Sequence, residues 1–143
     1  MNNIHIEKLA EADLSKYREL LGECFGAASM PETYSGLYDS NNNYDIIVAK
    51  DGDELVGAMT LVRVDLFSFK DLPFLMLFDV CVSAHRRKAG VATKIMKYIR
   101  DYAVKNGYHS ISLTCRNSAH DAHSFYERMG FDKVDSRKYS MFF

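Results

Sequence analysis

The chain has 143 residues, enough for one ordinary domain with a buried core and too few for two of typical size. Eighteen Lys and Arg against nineteen Asp and Glu leave a formal net charge of −1, with 48% of residues hydrophobic and 26% charged. That balance excludes a disordered charged tail and a protein built to wrap a phosphate backbone, but leaves room for a local patch that takes one small anion.

The opening Ile4-His5-Ile6-Glu7-Lys8-Leu9 alternates apolar with polar residues and predicts a half-buried strand. Asp13 then precedes Leu14, Tyr17, Leu20, Leu21, Cys24 and Phe25 at helical spacing, and Gly22 and Gly26 weaken the end of that helix. Residues 30–43 are polar, with room for one short second helix. Residues 44–49 and 55–64 are β-rich runs joined by Asp51-Gly52-Asp53, a hairpin signal, and residues 74–82 form a third run; antiparallel neighbours in chain order are expected. From Gly90 the period lengthens. Val91, Ile95, Tyr98 with Ile99, and Tyr102 with Ala103 mark one face of a helix of about four turns, which Asn106-Gly107 stops. Residues 110–114 alternate as a strand. Ala122, Phe125, Tyr126 and Met129 mark a short helix, with Ser118 and Asp121 placed to cap its start and Gly130-Phe131 its end. Residues 133–143 are expected to add a final strand or two. The order β-α-(α)-β-β-β-α-β-α-β, without repeat or linker, predicts an α/β or α+β sheet domain over residues 1–143.

The segment Val80-Cys81-Val82-Ser83-Ala84-His85-Arg86-Arg87-Lys88-Ala89-Gly90-Val91-Ala92-Thr93 runs an apolar strand into a basic turn that opens the long helix. The first turn of a helix carries unpaired N–H groups and a partial positive charge, so Asp and Glu are favoured there. Here no acidic residue falls between Ala84 and Tyr98, whereas His85, Arg86, Arg87, Lys88, Lys94 and Lys97 all do. Each such cation would cost a few tenths to about 1 kcal/mol at low salt, and a bound phosphate or pyrophosphate would reverse the sign. Gly90 lets backbone N–H groups approach an anion, and Ala92 keeps the next turn slim. Neither G-x-x-x-x-G-K-[ST] nor G-x-G-x-x-G is present, so a P-loop and a dinucleotide fingerprint are excluded. The plain alternative is a solvated basic helix face.

With two motifs the chain resembles the GNAT superfamily of N-acetyltransferases. The pattern [Q/R]-x-x-G-x-[G/A] reads Arg87-Lys88-Ala89-Gly90-Val91-Ala92. The pattern A-x-x-[F/L]-Y-E-[K/R]-x-G-F is matched about 35 residues on by Ala122-His123-Ser124-Phe125-Tyr126-Glu127-Arg128-Met129-Gly130-Phe131. The Ala122-His123-x-Phe125-Tyr126 form is most similar to the branch of aminoglycoside and aminoalkylphosphonate acetyltransferases. The resemblance implies a mixed α/β GNAT-like fold: a central, mostly antiparallel twisted sheet, splayed at the cofactor strand and flanked by helices. It also implies acetyl-coenzyme A as co-substrate and no metal. The pyrophosphate would lie on N–H groups of Lys88, Ala89, Gly90, Val91, Ala92 and Thr93, with charge from Arg87 and Lys88. The pantetheine arm would pair with the backbone of Val80, Cys81 and Val82, where a backbone N–H near Val82 would polarise the thioester carbonyl. Asn117 and Ser118 are further candidate coenzyme contacts.

A lysine-like amine, with pKa near 10.4, is neutral about once in a few thousand molecules at pH 7, so a base or a water relay is useful. The leaving thiolate needs a donor, and a phenol suits that task. Tyr126 occupies the family's acid position; its alternative is a core aromatic in the stripe with Ala122, Phe125 and Met129. The Glu that many relatives carry ahead of the cofactor strand is replaced by Phe78, and Asp79 follows. Strict strand alternation would turn Asp79 to the other face, there to orient a loop. Glu32, Tyr34, Asp65 and His120, or a water chain, are the remaining base candidates. The family's common Asn, seven residues before Tyr126, is Ala119 here.

Cys24, Cys81 and Cys115 are odd in number and widely spaced, so reduced thiols packed in the core are expected rather than a disulfide framework or an acyl-cysteine. His120 and His123 share a helix face without a third metal ligand. Phe67, Phe69, Leu72 and Phe74 could form an acceptor wall, a dimer surface or a covered edge. No apolar run is long enough to span a bilayer and the first residues lack a signal-peptide pattern, so a cytoplasmic protein is expected. The expected activity is transfer of acetyl to a primary amine of a small molecule by direct attack in a ternary complex, with a homodimer possible and nucleic acid and membrane not expected as partners. Acceptor contacts are expected from residues 25–38, residues 65–74 and the region near Tyr139. A protein lysine or N-terminal acetyltransferase and a coenzyme A-binding module without turnover are the alternatives.

Overall fold

The computed structural model describes residues 3–26 and 43–143. The alternating and apolar runs become five strands: β1 (Ile4–Lys8), β2 (Tyr44–Asp51), β3 (Glu54–Val64), β4 (Phe74–Val82) and β5 (Ser110–Ser112). They form one sheet in chain order, with β1 to β4 antiparallel and β5 parallel to β4. The β2–β3 turn is the expected hairpin, with Asp51 opposite Glu54 and Gly52 at φ 61.

Helices cover both faces. On one, α1 (Leu14–Phe25) buries Tyr17, Leu20 and Leu21 against Val48, Leu55, Ala58 and Cys81. Asp13, expected to open this helix, is itself buried, and its carboxylate accepts from Lys50 Nζ at 2.9 Å instead of capping. On the other face, α2 (Val91–Lys105) buries Val91, Ile95, Met96, Ile99 and Ala103 against Ile47, Val56, Met59, Leu61, Leu75 and Leu77. Each of the larger of these side chains contributes roughly 1.5–3 kcal/mol of transfer free energy. The short helix α3 (His120–Arg128) joins that side through Phe125, Tyr126 and Met129.

Both later helices end at the glycines the sequence predicts, Gly107 and Gly130, each left-handed and followed by an aromatic residue, of which only Phe131 was expected. After α2, Gly107 has φ 75, and the Tyr108 N–H reaches back to the Ala103 carbonyl at 2.9 Å. After α3, Gly130 has φ 97, its N–H donates to the Glu127 carbonyl at 3.1 Å, and the Phe131 N–H donates to the Tyr126 carbonyl at 3.0 Å. These paired bonds satisfy the last carbonyls of each helix.

Three expectations are corrected. Ser118 and Asp121 do not cap α3, whose N-cap is Ala119 with no side-chain bond to the helix. Strand β5 stops at Ser112, two residues short of the alternating run. Residues 132–143, all of them described, take no strand. A strand needs a ladder partner. The tail interrupts its apolar residues with Asp132, Lys133, Asp135, Arg137 and Lys138, and the neighbouring β5 is only three residues long. The second helix expected within residues 30–43 falls almost entirely outside the described residues. No helix among the described residues is long and apolar enough to cross a membrane.

Gly57 in the middle of β3 sets how closely α2 lies on the sheet. A Cβ there would stand 2.7 Å from Val91 Cγ1, 3.2 Å from Ile95 Cδ1 and 3.3 Å from the Cys81 carbonyl oxygen. Val91 is β-branched and fully buried, and the carbonyl belongs to the sheet, so neither yields cheaply. Gly57→Ala is therefore expected to lower stability by about 1–3 kcal/mol through overpacking. Urea unfolding would show this as a lower midpoint at unchanged slope.

Candidate active site

The basic turn begins where β4 ends. Ala84–Arg86 form one 3-10 turn, Arg87 is extended, Lys88 is left-handed at φ 62, and Gly90 is left-handed at φ 84 as the N-cap of α2. No side chain caps that end and its first turn holds no acidic residue. The first intrahelical bond is Lys94 N–H to the Gly90 carbonyl at 3.1 Å, which leaves the N–H groups of Val91, Ala92 and Thr93 without helical partners. A Cβ on Gly90 would meet nothing within 4 Å, so the space before the helix is open.

The six basic residues of this segment divide into two groups. His85 Nε2 lies 2.9 Å from Glu54 Oε2, and Arg86 donates to Asp51 at 2.6 Å and to Glu54 at 3.2 Å. These two are held by the β2–β3 hairpin. Arg87, Lys88, Lys94 and Lys97 make no ion pair among the described residues, although Arg87 Nε donates to the Val82 carbonyl at 3.4 Å. From α1, the Glu23 carboxylate accepts the Ala84 N–H at 2.5 Å and lies 3.3 Å from the hydroxyl of the buried Ser83, itself 3.0 Å from His85 Nδ1. Glu54 and Glu23 carry no motif, and the sequence marked Asp51 only as part of the hairpin turn. The excess of cations required counter-charges somewhere, but only the fold says which carboxylates supply them.

Strand β4 is paired on both sides only at its start, where Phe74, Leu75 and Met76 lie opposite Ser110, Ile111 and Ser112. From Leu77 to Val82 the β5 side carries no strand among the described residues. Because the Ser83 N–H bonds the Val56 carbonyl at 2.9 Å, the pleat turns the backbone groups of Val82 and Val80 toward that open side and those of Cys81 toward β3. This is the splayed strand that the resemblance implied.

A bulge alters the expected facing of Asp79. Thr60 lies opposite Phe78 and Ala58 opposite Cys81, so β4 carries one residue more than β3 across this stretch. Asp79 absorbs it in a left-handed conformation at φ 53, and Thr60 Oγ1 donates to its carboxylate at 3.4 Å. Directly opposed residues share a face, so Asp79 reaches the same face as Phe78, where the family's Glu would stand, and strict alternation does not hold here. Behind Thr60, the buried Tyr17 phenol hydrogen-bonds its hydroxyl, and burial pushes that phenol up. Cys24 and Cys81 lie on this face too. Cys24 Sγ donates to the Val82 carbonyl at 3.5 Å, and burial, with Cys24 beside it, pushes the Cys81 thiol up.

Tyr126 stands on the opposite face of the sheet, half-buried beside the α2 cluster. Its ring meets Phe125 edge-on at 5.3 Å and Phe131 at 5.7 Å, so the capping turn that ends α3 also holds the phenol. Burial first, and Cys115 second, push its pKa up to about 12. The side chain packs in the apolar stripe and keeps its proton at neutral pH.

The other candidates lie away from this arrangement or are otherwise engaged. Asn117 is exposed in the turn before α3. His123 Nε2 is 2.7 Å from the Arg116 carbonyl, with the His120 ring 6.4 Å away. Phe67 is exposed with Lys70 Nζ over its ring at 5.8 Å, and Tyr139 in the tail is exposed. Glu32 and Tyr34 lie outside the described residues.

Solved structures share this architecture. A transcriptional regulator from Bacillus halodurans C-125 superposes with a TM-score of 0.85 at 23% identity, covering 98% of this chain and 99% of that one. An aminoglycoside acetyltransferase from an uncultured soil metagenomic sample, in complex with sisomicin, gives 0.79 at 20% identity, covering 98% and 97%. At such identities the likeness shows the fold. Two rat proteins are similar in sequence. N-acetyltransferase family 8 member 2 is 29% identical over 121 residues, 82% of this chain and 50% of that protein. N-acetyltransferase 8F1 is 30% identical over 130 residues, 88% and 55%. The chain thus spans about half the length of these relatives. The family model for the acetyltransferase (GNAT) family matches residues 14–131, from α1 through the aromatic residue that caps α3, and the chain belongs to that family.

Proposed function

We propose that the protein transfers the acetyl group of acetyl-coenzyme A to a primary amine of a small polar molecule by direct attack in a ternary complex. The observation that carries this reading is the open, uncapped amino end of α2, whose neighbouring Arg87, Lys88, Lys94 and Lys97 make no ion pair among the described residues, beside the outer half of β4, which has no strand on its β5 side among those residues. The residues fit the coenzyme: Gly90 leaves free space for a diphosphate, and Val80 and Val82 offer main-chain groups to an extended amide-bearing arm. Bound there, acetyl-coenzyme A supplies an activated acetyl thioester. A small polar amine as acceptor is supported by the solved relatives with the same fold, among them the aminoglycoside acetyltransferase and a glucosamine-6-phosphate N-acetyltransferase from Arabidopsis thaliana.

Two side chains of this chain would handle protons, one on each face of β4. The Asp79 carboxylate, steadied by Thr60, takes the amine proton as the new N–C bond forms and the nitrogen becomes acidic. On the other face, the Tyr126 phenol would donate its hydrogen toward the leaving sulfur. With its pKa pushed up to about 12, against about 8.5 for an ordinary thiol, full transfer of the phenolic proton is uphill, so Tyr126 stabilises the departing charge by donating a hydrogen bond.

Calorimetric titration with coenzyme A and thiol release with a panel of small amines test the reading; the expected result is saturable binding and amine-dependent release, and no heat with coenzyme A would overturn it. Gly90→Glu is expected to abolish coenzyme A binding and leave a folded protein. The side chain costs about 1–2 kcal/mol of left-handed backbone strain, partly offset by its charge at the helix end, but puts a carboxylate where the diphosphate belongs. Tyr126→Phe is expected to lower kcat on the order of a hundredfold with little change in KM for acetyl-coenzyme A. Asp79→Asn is expected to lower kcat about tenfold or more with little change in KM for acetyl-coenzyme A, because an amide cannot take the proton that the nitrogen sheds on attack; an unchanged kcat would remove Asp79 from proton transfer.

A further inference from the structure

We infer that Glu23 is a positioning residue for the coenzyme turn: its carboxylate, at the end of α1, holds the main chain of residues 83–86 so that the left-handed pair Lys88 and Gly90 presents the α2 amino end to a phosphate. This rests on the placement of the coenzyme diphosphate proposed above.

Three of the main-chain donors entering the turn make hydrogen bonds. The Ser83 N–H goes to the Val56 carbonyl at 2.9 Å and the Arg86 N–H to the Ser83 carbonyl at 2.9 Å. The Ala84 N–H goes to Glu23 Oε2 at 2.5 Å, the one of these three bonds made by a side chain. The hairpin carboxylates Asp51 and Glu54 hold the side chains of Arg86 and His85; Glu23 holds the backbone. It also accepts from the Ser83 hydroxyl at 3.3 Å, so α1 holds the turn at two adjacent residues. A bond from a backbone N–H to an ionised carboxylate is stronger than its neutral counterpart. Glu23 is itself exposed and takes no part in the apolar core beneath α1, so losing it leaves the packing of that helix untouched.

The direction of the effect separates positioning from bulk electrostatics. Removing a carboxylate near a cationic anion site should by charge alone tighten anion binding. Loss of the Ala84 bond should loosen it. Glu23→Ala is expected to weaken coenzyme A binding about tenfold in calorimetry, the scale of one charge-assisted hydrogen bond, at an unchanged Tm of the ligand-free protein. Glu23→Gln keeps an amide oxygen for the Ala84 N–H and should recover most of the affinity. Glu19→Ala removes a like charge one turn earlier on α1, makes no bond to the turn among the described residues, and should leave binding unchanged or slightly tighter. If Glu23→Ala binds as well as wild type, or more tightly, the inference is overturned while the coenzyme site stands. A fall in ligand-free Tm that matches the loss of affinity in both Glu23 variants would assign the residue to fold stability and overturn it as well. Wild-type protein that takes up no coenzyme A would remove the proposed function and this inference together.

Discussion

Gly57 lets Val91 and Ile95 lie against the backbone of β3, and that close approach brings the amino end of α2 beside the outer half of β4. The position matters because a helix end acts over a short range: its partial charge is felt within about one turn, and its unpaired N–H groups must point directly at what they bind. Displaced outward by a methyl group's width, the same residues would make a basic helix end with no strand beside it. With residue 57 bare, one corner of the molecule combines three unpaired helical donors, unpaired cations and a strand with one free edge.

The free edge has its own cause. Strand β5 pairs for three residues and then stops, so the rest of β4 cannot complete its ladder on that side. An extra residue at the bulge then twists β4 and turns Asp79 onto the face of Thr60 and α1. The capping turn of α3 holds Tyr126 on the face of α2. A single strand is thereby flanked by a carboxylate on one side and a phenol on the other, an arrangement suited to moving a proton off an incoming nitrogen while a sulfur leaves.

Charge in the turn is divided by tertiary contacts. Two of its cations are spent on Asp51 and Glu54, which fasten the turn to the β2–β3 hairpin, and four have no ion pair among the described residues. A turn with every cation paired would be well anchored but would hold an anion poorly. One with none paired would attract an anion but would lack a defined shape. The division meets both needs.

The order of β1 to β5 with their helices, the hairpin at Gly52, the glycine ends of α2 and α3 and the basic, uncapped turn before α2 were legible in the sequence, because each depends on residues within a few positions of one another. Left-handed glycines, apolar periods and the charge of one helical turn are local physics. The tail was misjudged for the complementary reason: extended propensity there met no partner edge. Asp79 was misjudged because a bulge is a mismatch between two strands and cannot be seen in either alone. Likewise, Glu23, Asp51 and Glu54 lie 61, 35 and 31 positions from the turn residues they hold. The sequence by itself determined which short segments take which backbone shape and where an anion would be welcome; only the tertiary structure decided which carboxylates shape that turn and which faces of β4 carry Asp79 and Tyr126, since those choices depend on contacts between segments far apart along the chain.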